Sequence, residues 1–190
     1  MHTTVQNNIA SILAKNPIIP VVTINKLEEI DGIVHALLEK NIHCIEVTLR
    51  TAIAFEAIQV IKEKYASELS VGVGTVISSA QIQMAKQVGV DFIVSPGISK
   101  ELAQELMDSK IPFIPGVATP SDIILGLQMG WNFFKFFPAN LFGGLPALKT
   151  YQLVFPNVVF CPTGGINETT YPDYLALENV LSVGGSWMIK

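Results

Sequence analysis

"KLEEIDGIVHALLEKNIHCIEVTLRTAIAFEAIQVIKEKYASELSVGVGTV", residues 26–76, switches its hydrophobic period three times within one stretch. Over 26–40 and again over 52–66 apolar residues recur at three- and four-residue intervals, the spacing of a buried helix face. Between and after them, "CIEVTLR" (44–50) and "SVGVGTV" (70–76) are short runs rich in β-branched residues, which read as strands. A helix crossing from one strand to the next makes the two strands parallel.

Outward from this stretch the pattern repeats. "IIPVVTI" (18–24) precedes it, and "FIVSPG" (92–97), "FIPGVA" (113–118), "NFFKFFPA" (132–139), "VVFCPTGG" (158–165) and "VLSVGGS" (180–186) follow, giving eight strand-like runs. Near-continuous apolar strands alternating with helices predict an α/β fold, and eight of them predict a closed (β/α)8 TIM barrel over a single domain, 1–190. An open doubly wound sheet is the runner-up. The chain ends at "SWMIK", a few residues past the eighth run, so the expected barrel lacks its last helix.

Of the 190 residues, 49% are hydrophobic and 15% charged, with a mean hydropathy of +0.44. Every apolar run is nonetheless broken by Gly, Pro or a charge before it reaches membrane-spanning length. The start, "MHTTVQNNIASILAKNP", lacks the basic and apolar segments of a signal peptide, and Cys44 and Cys161 are too few for a disulfide framework. The expectation is a cytoplasmic protein with reduced thiols that serve as small core residues. A net charge of −4 gives no basic footprint for nucleic acid, so the expected partner is a small molecule, with neither nucleic acid nor membrane involved.

Strand side chains alternate faces. In "CIEVTLR" the polar set Glu46, Thr48 and Arg50 shares one face, and Ile45, Val47 and Leu49 share the face that must meet helices. In "WNFFKFFPAN" (131–140) Phe133, Lys135 and Phe137 lie together, opposite Phe134 and Phe136. An outward Lys135 would be trapped between strand and helices, whereas an inward one reaches the C-terminal mouth where barrel active sites form. At that mouth several strands end in small or hydroxylated residues, and Gly164, Gly165, Gly185 and Ser186 are expected to hold a phosphate.

An inward lysine with a carboxylate, an arginine and a phosphate site points to carbonyl chemistry through a Schiff base. The amine must be neutral to attack. Desolvation by its phenylalanine neighbours favours that form, as does repulsion from Arg50, while an ionised Glu46 opposes it. Glu46 is then the expected proton shuttle for carbinolamine dehydration and carbon–carbon cleavage.

The motifs "EVTLRT" (46–51), "GVGTV" (72–76), "SPG" (95–97), "FKFFPA" (134–139), "FCPTGGI" (160–166) and "GGSW" (184–187) resemble, in order and over nearly the whole chain, the 2-keto-3-deoxy-6-phosphogluconate (KDPG) and 4-hydroxy-2-oxoglutarate aldolase family. The resemblance implies a metal-independent class I lyase with no cofactor, typically a homotrimer. Its substrate would be a phosphorylated keto acid, KDPG, split to pyruvate and glyceraldehyde 3-phosphate, often with activity on 4-hydroxy-2-oxoglutarate. By the same resemblance Lys135 is the Schiff-base lysine and Glu46 the general acid/base. Arg50 and Thr75 hold the pyruvate carboxylate, and Thr163 contacts substrate. Pro96 and Phe137 wall the lysine pocket, and Gly164, Gly165, Gly185 and Ser186 form the phosphate end. "PANLFGG" (138–144) departs from the family's "PAEANGG", placing Leu141 and Phe142 where small residues are expected. Two other functions stay open: a metal-free phosphosugar isomerase in which Lys135 only polarises a carbonyl, and a phosphate-ligand-binding barrel without turnover. Glu46 and Arg50 as a plain interior ion pair is the structural alternative for that strand.

Overall fold

The alternation of periods becomes an alternation of elements in the computed structural model, which describes residues 2–189. Helix α1 (His2–Lys15) leads into β1 (Ile18–Val22), α2 (Ile30–Glu39), β2 (Cys44–Thr48), α3 (Ala54–Tyr65), β3 (Ser70–Gly74), α4 (Ser79–Val88), β4 (Phe92–Val94) and α5 (Lys100–Ser109). Then come β5 (Phe113–Ile114), β6 (Gly116–Val117), α6 (Pro120–Gln128), β7 (Phe133–Phe136), α7 (Gly144–Val154), β8 (Val159–Pro162), α8 (Tyr171–Leu175) and β9 (Val183–Gly185). The last described turn, Trp187–Ile189, is a 3-10 helix tied to the end of α2 by Lys40 Nζ, which donates to the Met188 carbonyl at 2.5 Å. Ser78, Ser99 and Thr119 cap α4, α5 and α6 through their hydroxyls, so these helices start where a side chain accepts the first free N–H groups.

All strand pairs are parallel, but they form two sheets: one of six strands in the order β5-β4-β3-β2-β1-β9, and one of three, β6-β7-β8. The α/β class holds; the expected closed eight-stranded TIM barrel does not. Two prolines account for the breaks, because each removes a ladder donor. Pro115 splits the fifth strand, leaving Phe113–Ile114 on β4 and Gly116–Val117 on β7. Pro162 has no N–H to give towards β9, and β8 meets that side only through the isolated bridges Phe160↔Val180 and Thr163↔Gly184.

Alternation along β2 and β7 sorts the side chains. Ile45, Val47, Phe134 and Phe136 enter the large core shared with helix residues such as Val34, Leu37, Ile58 and Ile61. On the inner side a smaller cluster joins Ile19, Cys44, Phe92, Val94, Ile114 and Cys161 to Ile9 and Leu13 of α1. These two helix residues are four apart and so share a face, which covers the N-terminal ends of the strands. The site is therefore confined to the opposite, C-terminal end.

Candidate active site

Glu46, in the middle of β2, and Lys135, third residue of β7, come from different sheets and meet in the interior. Lys135 Nζ donates to Glu46 Oε1 at 3.0 Å and to Oε2 at 3.3 Å, with 7% and 4% of the two side chains exposed. Two charges removed from water this thoroughly are held only because each satisfies the other. The Phe137 ring lies with its centroid 5.3 Å from Nζ, a cation–π contact. Its ladder neighbours are Gly116 on one side, which lies against the Pro96 backbone, and Cys161 on the other, which carries a short side chain.

Cys161 is fully buried, and burial pushes its thiol up to about 11. Burial raises the Cys44 thiol further still, so both remain protonated and unreactive near neutral pH. Thr48, on the inner face with Glu46, is buried and donates to the Val22 carbonyl at 3.1 Å while sharing a 2.8 Å hydrogen bond with Thr23.

The remaining sequence-predicted residues follow the C-terminal ends of the strands but do not all converge on this pair. β2 ends at Thr48, so strand alternation does not extend to Arg50. Arg50 sits in the ensuing turn, its N–H bonded to the Thr48 carbonyl at 2.8 Å, and is exposed. Among the described residues nothing accepts a hydrogen bond from its guanidinium, and the Glu46–Arg50 ion pair is not formed. Thr75, just past β3, is half-buried with φ of 65°. For a β-branched residue this left-handed conformation costs about 1–2 kcal/mol, a strain that clusters at functional sites.

Pro96 lies in a turn fixed by Ser95 Oγ, which accepts from the Gly97 N–H at 3.2 Å. Thr163 is buried, and its bridge to Gly184 sets the end of β8 beside β9. Gly164 and Gly165 follow Thr163 in the chain, and Gly185 and the exposed Ser186 follow Gly184. Gly164 and Gly165 have φ of 106° and 70°, which other residues adopt only with strain. Their loop is anchored by Ala139 N–H to the Thr163 carbonyl at 2.8 Å and Asn140 N–H to the Gly164 carbonyl at 3.2 Å. The turn after β7 thus fastens the glycine loop to the lysine strand. Leu141 in this turn is 74% exposed and Phe142 45%.

Sequence reasoning treated the strand-end glycines as places for a ligand to approach, and missed that several accommodate neighbouring protein, Gly165 and Gly185 included, where a Cβ would overlap Asn140 and Trp187. A Cβ on Gly74 would overlap the Glu46 carboxylate, one on Gly116 the Pro96 backbone, and one on Gly184 the Thr163 hydroxyl. The glycines of "GVGT", "PGVAT" and "GGS" were visible in sequence, but the neighbours that need the space are distant in the chain.

A buried amine bonded to a carboxylate, below a rim of glycine turns at the C-terminal ends of parallel strands, defines the class: an enzyme that works on carbonyl compounds through a lysine imine. Comparison with known proteins agrees. The family model of KDPG and KHG aldolase matches residues 9–190. The KHG/KDPG aldolase of Escherichia coli is 42% identical over 179 residues, 94% of this chain and 84% of that protein. The structure of KDPG aldolase from Legionella pneumophila, with pyruvate captured at low pH as a covalent carbinolamine intermediate, is 46% identical, has a TM-score of 0.90, and covers 94% of this chain and 86% of its own. The 2-keto-3-deoxy-6-phosphogluconate aldolase of Zymomonas mobilis with 3-phosphoglycerate has a TM-score of 0.92 at 42% identity, covering 96% and 86%. The chain belongs to the KDPG and KHG aldolase family, and is therefore an aldolase, a carbon–carbon lyase.

Proposed function

We propose that the chain cleaves KDPG to pyruvate and glyceraldehyde 3-phosphate, and also 4-hydroxy-2-oxoglutarate to pyruvate and glyoxylate. The observation that carries this is the buried 3.0 Å contact between Lys135 Nζ and Glu46 Oε1. Transfer of a proton from Lys135 to Glu46 leaves a neutral amine beside its own general acid. The amine adds to the substrate C2 carbonyl, and Glu46 protonates the carbinolamine hydroxyl so that it leaves as water. The resulting iminium is the electron sink. Glu46, now a carboxylate, takes the proton of the C4 hydroxyl as the C3–C4 bond breaks and the aldehyde departs. The enamine is reprotonated at C3, and water releases pyruvate from Lys135.

Arg50 and Thr75 are assigned to the substrate carboxylate, Thr163 to the substrate near C2, Pro96 and Phe137 to the apolar walls, and Gly164, Gly165, Gly185 and Ser186 to the phosphate. The φ > 0 glycine pair and its two backbone anchors support the phosphate assignment. The reading includes a cytoplasmic homotrimer, in keeping with the family resemblance; among the described residues no helix is long and apolar enough to cross a membrane.

Borohydride reduction in the presence of pyruvate, with peptide mapping by mass spectrometry, tests the reading. A reduced pyruvate adduct on Lys135, abolished in Lys135→Ala, is expected together with pyruvate release from KDPG. A folded protein that forms no adduct refutes it and returns the isomerase and pure binding alternatives.

A further inference from the structure

We propose that Gly74 is a positioning residue for the reaction: its missing Cβ leaves the trough in which the Glu46 carboxylate lies, and that trough sets the Glu46–Lys135 contact. The inference rests on the reading of Glu46 as the proton shuttle of the aldolase.

In the β2–β3 ladder Glu46 is paired with Gly72 and Thr48 with Gly74. From its own rung Glu46 therefore leans towards the C-terminal end of β3, where a Cβ on Gly74 would overlap its Cγ, Cδ and Oε1. Oε1 is the same oxygen that accepts from Lys135 at 3.0 Å. Glu46 has no second place on β3, because the space over Gly72 is taken by the Phe92 ring. Gly72 and Gly74, two residues apart on one face, thus form a bare strip divided between an aromatic ring and a carboxylate, while Val71 and Val73 fill the opposite face and enter the core.

Gly74 does not have the positive φ that favours glycine, so an alanine there suits the backbone. The strand cannot yield, being held by a ladder over all of Ser70–Gly74 and by the Leu49 N–H, which donates to the Gly74 carbonyl at 3.0 Å. What yields is the flexible end of Glu46. The steric cost of an added methyl therefore falls on the position of the carboxylate rather than on the fold.

Four proteins decide the matter: wild type, Gly74→Ala, Glu46→Asp and the double variant, each assayed for kcat, KM and its kcat–pH profile, for pyruvate trapping by borohydride, and for thermal unfolding. Gly74→Ala is expected to lose about 10²-fold in kcat, the size of effect that follows a catalytic group displaced by about 1 Å. It should keep its KM and still form the Lys135 adduct. Glu46→Asp removes the tightest overlap, at Oε1, and leaves the contact at Cγ, so the two losses should be less than additive in the double variant, a coupling that two unrelated losses do not produce. Wild-type kcat and an unchanged pH profile in Gly74→Ala overturn the proposal, and so do strictly additive losses. Should Gly74→Ala fail to fold, a folded double variant supports the trough, and a double variant no more stable than the single overturns it. A wild-type protein that traps no pyruvate overturns the aldolase reading itself, which separates the two failures.

Discussion

Replacing Lys135 by Met, an apolar side chain of similar length, strands the Glu46 carboxylate in an interior where only 4% of its side chain is exposed. Loss of one partner of a buried pair costs about 3–5 kcal/mol, because the remaining charge keeps its desolvation penalty and loses its counter-ion. In a chain of this length that corresponds to a fall in Tm of about 6–20 °C. Glu46→Met should cost a similar amount for the mirror reason. The double variant, Lys135→Met with Glu46→Met, removes both penalties and substitutes apolar contacts of similar volume, so it should be more stable than either single variant, approaching or passing the parent. Urea unfolding of all four proteins at one fixed chain concentration measures the coupling, with concentration held because assembly shifts apparent stability. Additive singles would show that the pair is not electrostatically isolated from water and would refute the reasoning.

Two further outcomes follow from the packing. Gly126 lies inside α6 with the Phe134 ring against it, and a Cβ there would overlap that ring. Alanine in place of a helical glycine normally gains up to about 1 kcal/mol, but overpacking a rigid buried site costs about 1–3 kcal/mol. Gly126→Ala should therefore lower Tm, and a stabilised variant would disprove the close approach. The Cys161 thiol, pushed up to about 11 by burial, keeps its proton in the native state while the unfolded chain releases one near the ordinary thiol value of 9. Stability should therefore be fully present below about pH 9 and fall on the order of 1 kcal/mol per pH unit between 9 and 11. Denaturant midpoints across that window should fall less steeply in Cys161→Ala, and identical slopes would show the thiol to be solvated.

The facing of the interior was legible in sequence because alternation along a strand is local information. "CIEVT" places Glu46 and Thr48 inside, and "FFKF" places Lys135 inside, from five and four residues respectively. What was not legible depends on where the ladder stops. Arg50 shares the parity of Glu46, but β2 ends two residues before it, and periodicity does not report that end. Eight apolar runs do not fix where the ladder breaks: the first and last do pair, as β1 and β9, and the interruptions fall within the fifth run and between the seventh and eighth. Pro115 and Pro162 lie inside runs that read as whole strands, and which edge of each strand lacks its N–H depends on partners far along the chain. Helix α1 was overlooked because its apolar contribution through Ile9 and Leu13 is sparse, and only the strand ends it covers give that face a purpose.

The dryness of Lys135 also has a different origin from the one its sequence neighbours imply. Phe134 and Phe136 flank it in the chain but point to the opposite face, into the core shared with the helices, so they do not enclose the amine. Phe137, past the end of β7, brings its ring centroid to 5.3 Å from Nζ. The contacts that hold it come from elements distant in sequence: Cys161 beside it on the adjoining strand, and Glu46 from the other sheet. The phenylalanines act indirectly by anchoring β7, since Phe136 packs edge-on against Phe160 and Tyr151, and Tyr151 in turn donates to the Ala118 carbonyl at 3.1 Å. A strand pinned on its outer face holds the inward lysine at a fixed depth. In the proposed mechanism that fixed depth matters, because the carboxylate opposite lies where a Cβ on Gly74 would stand.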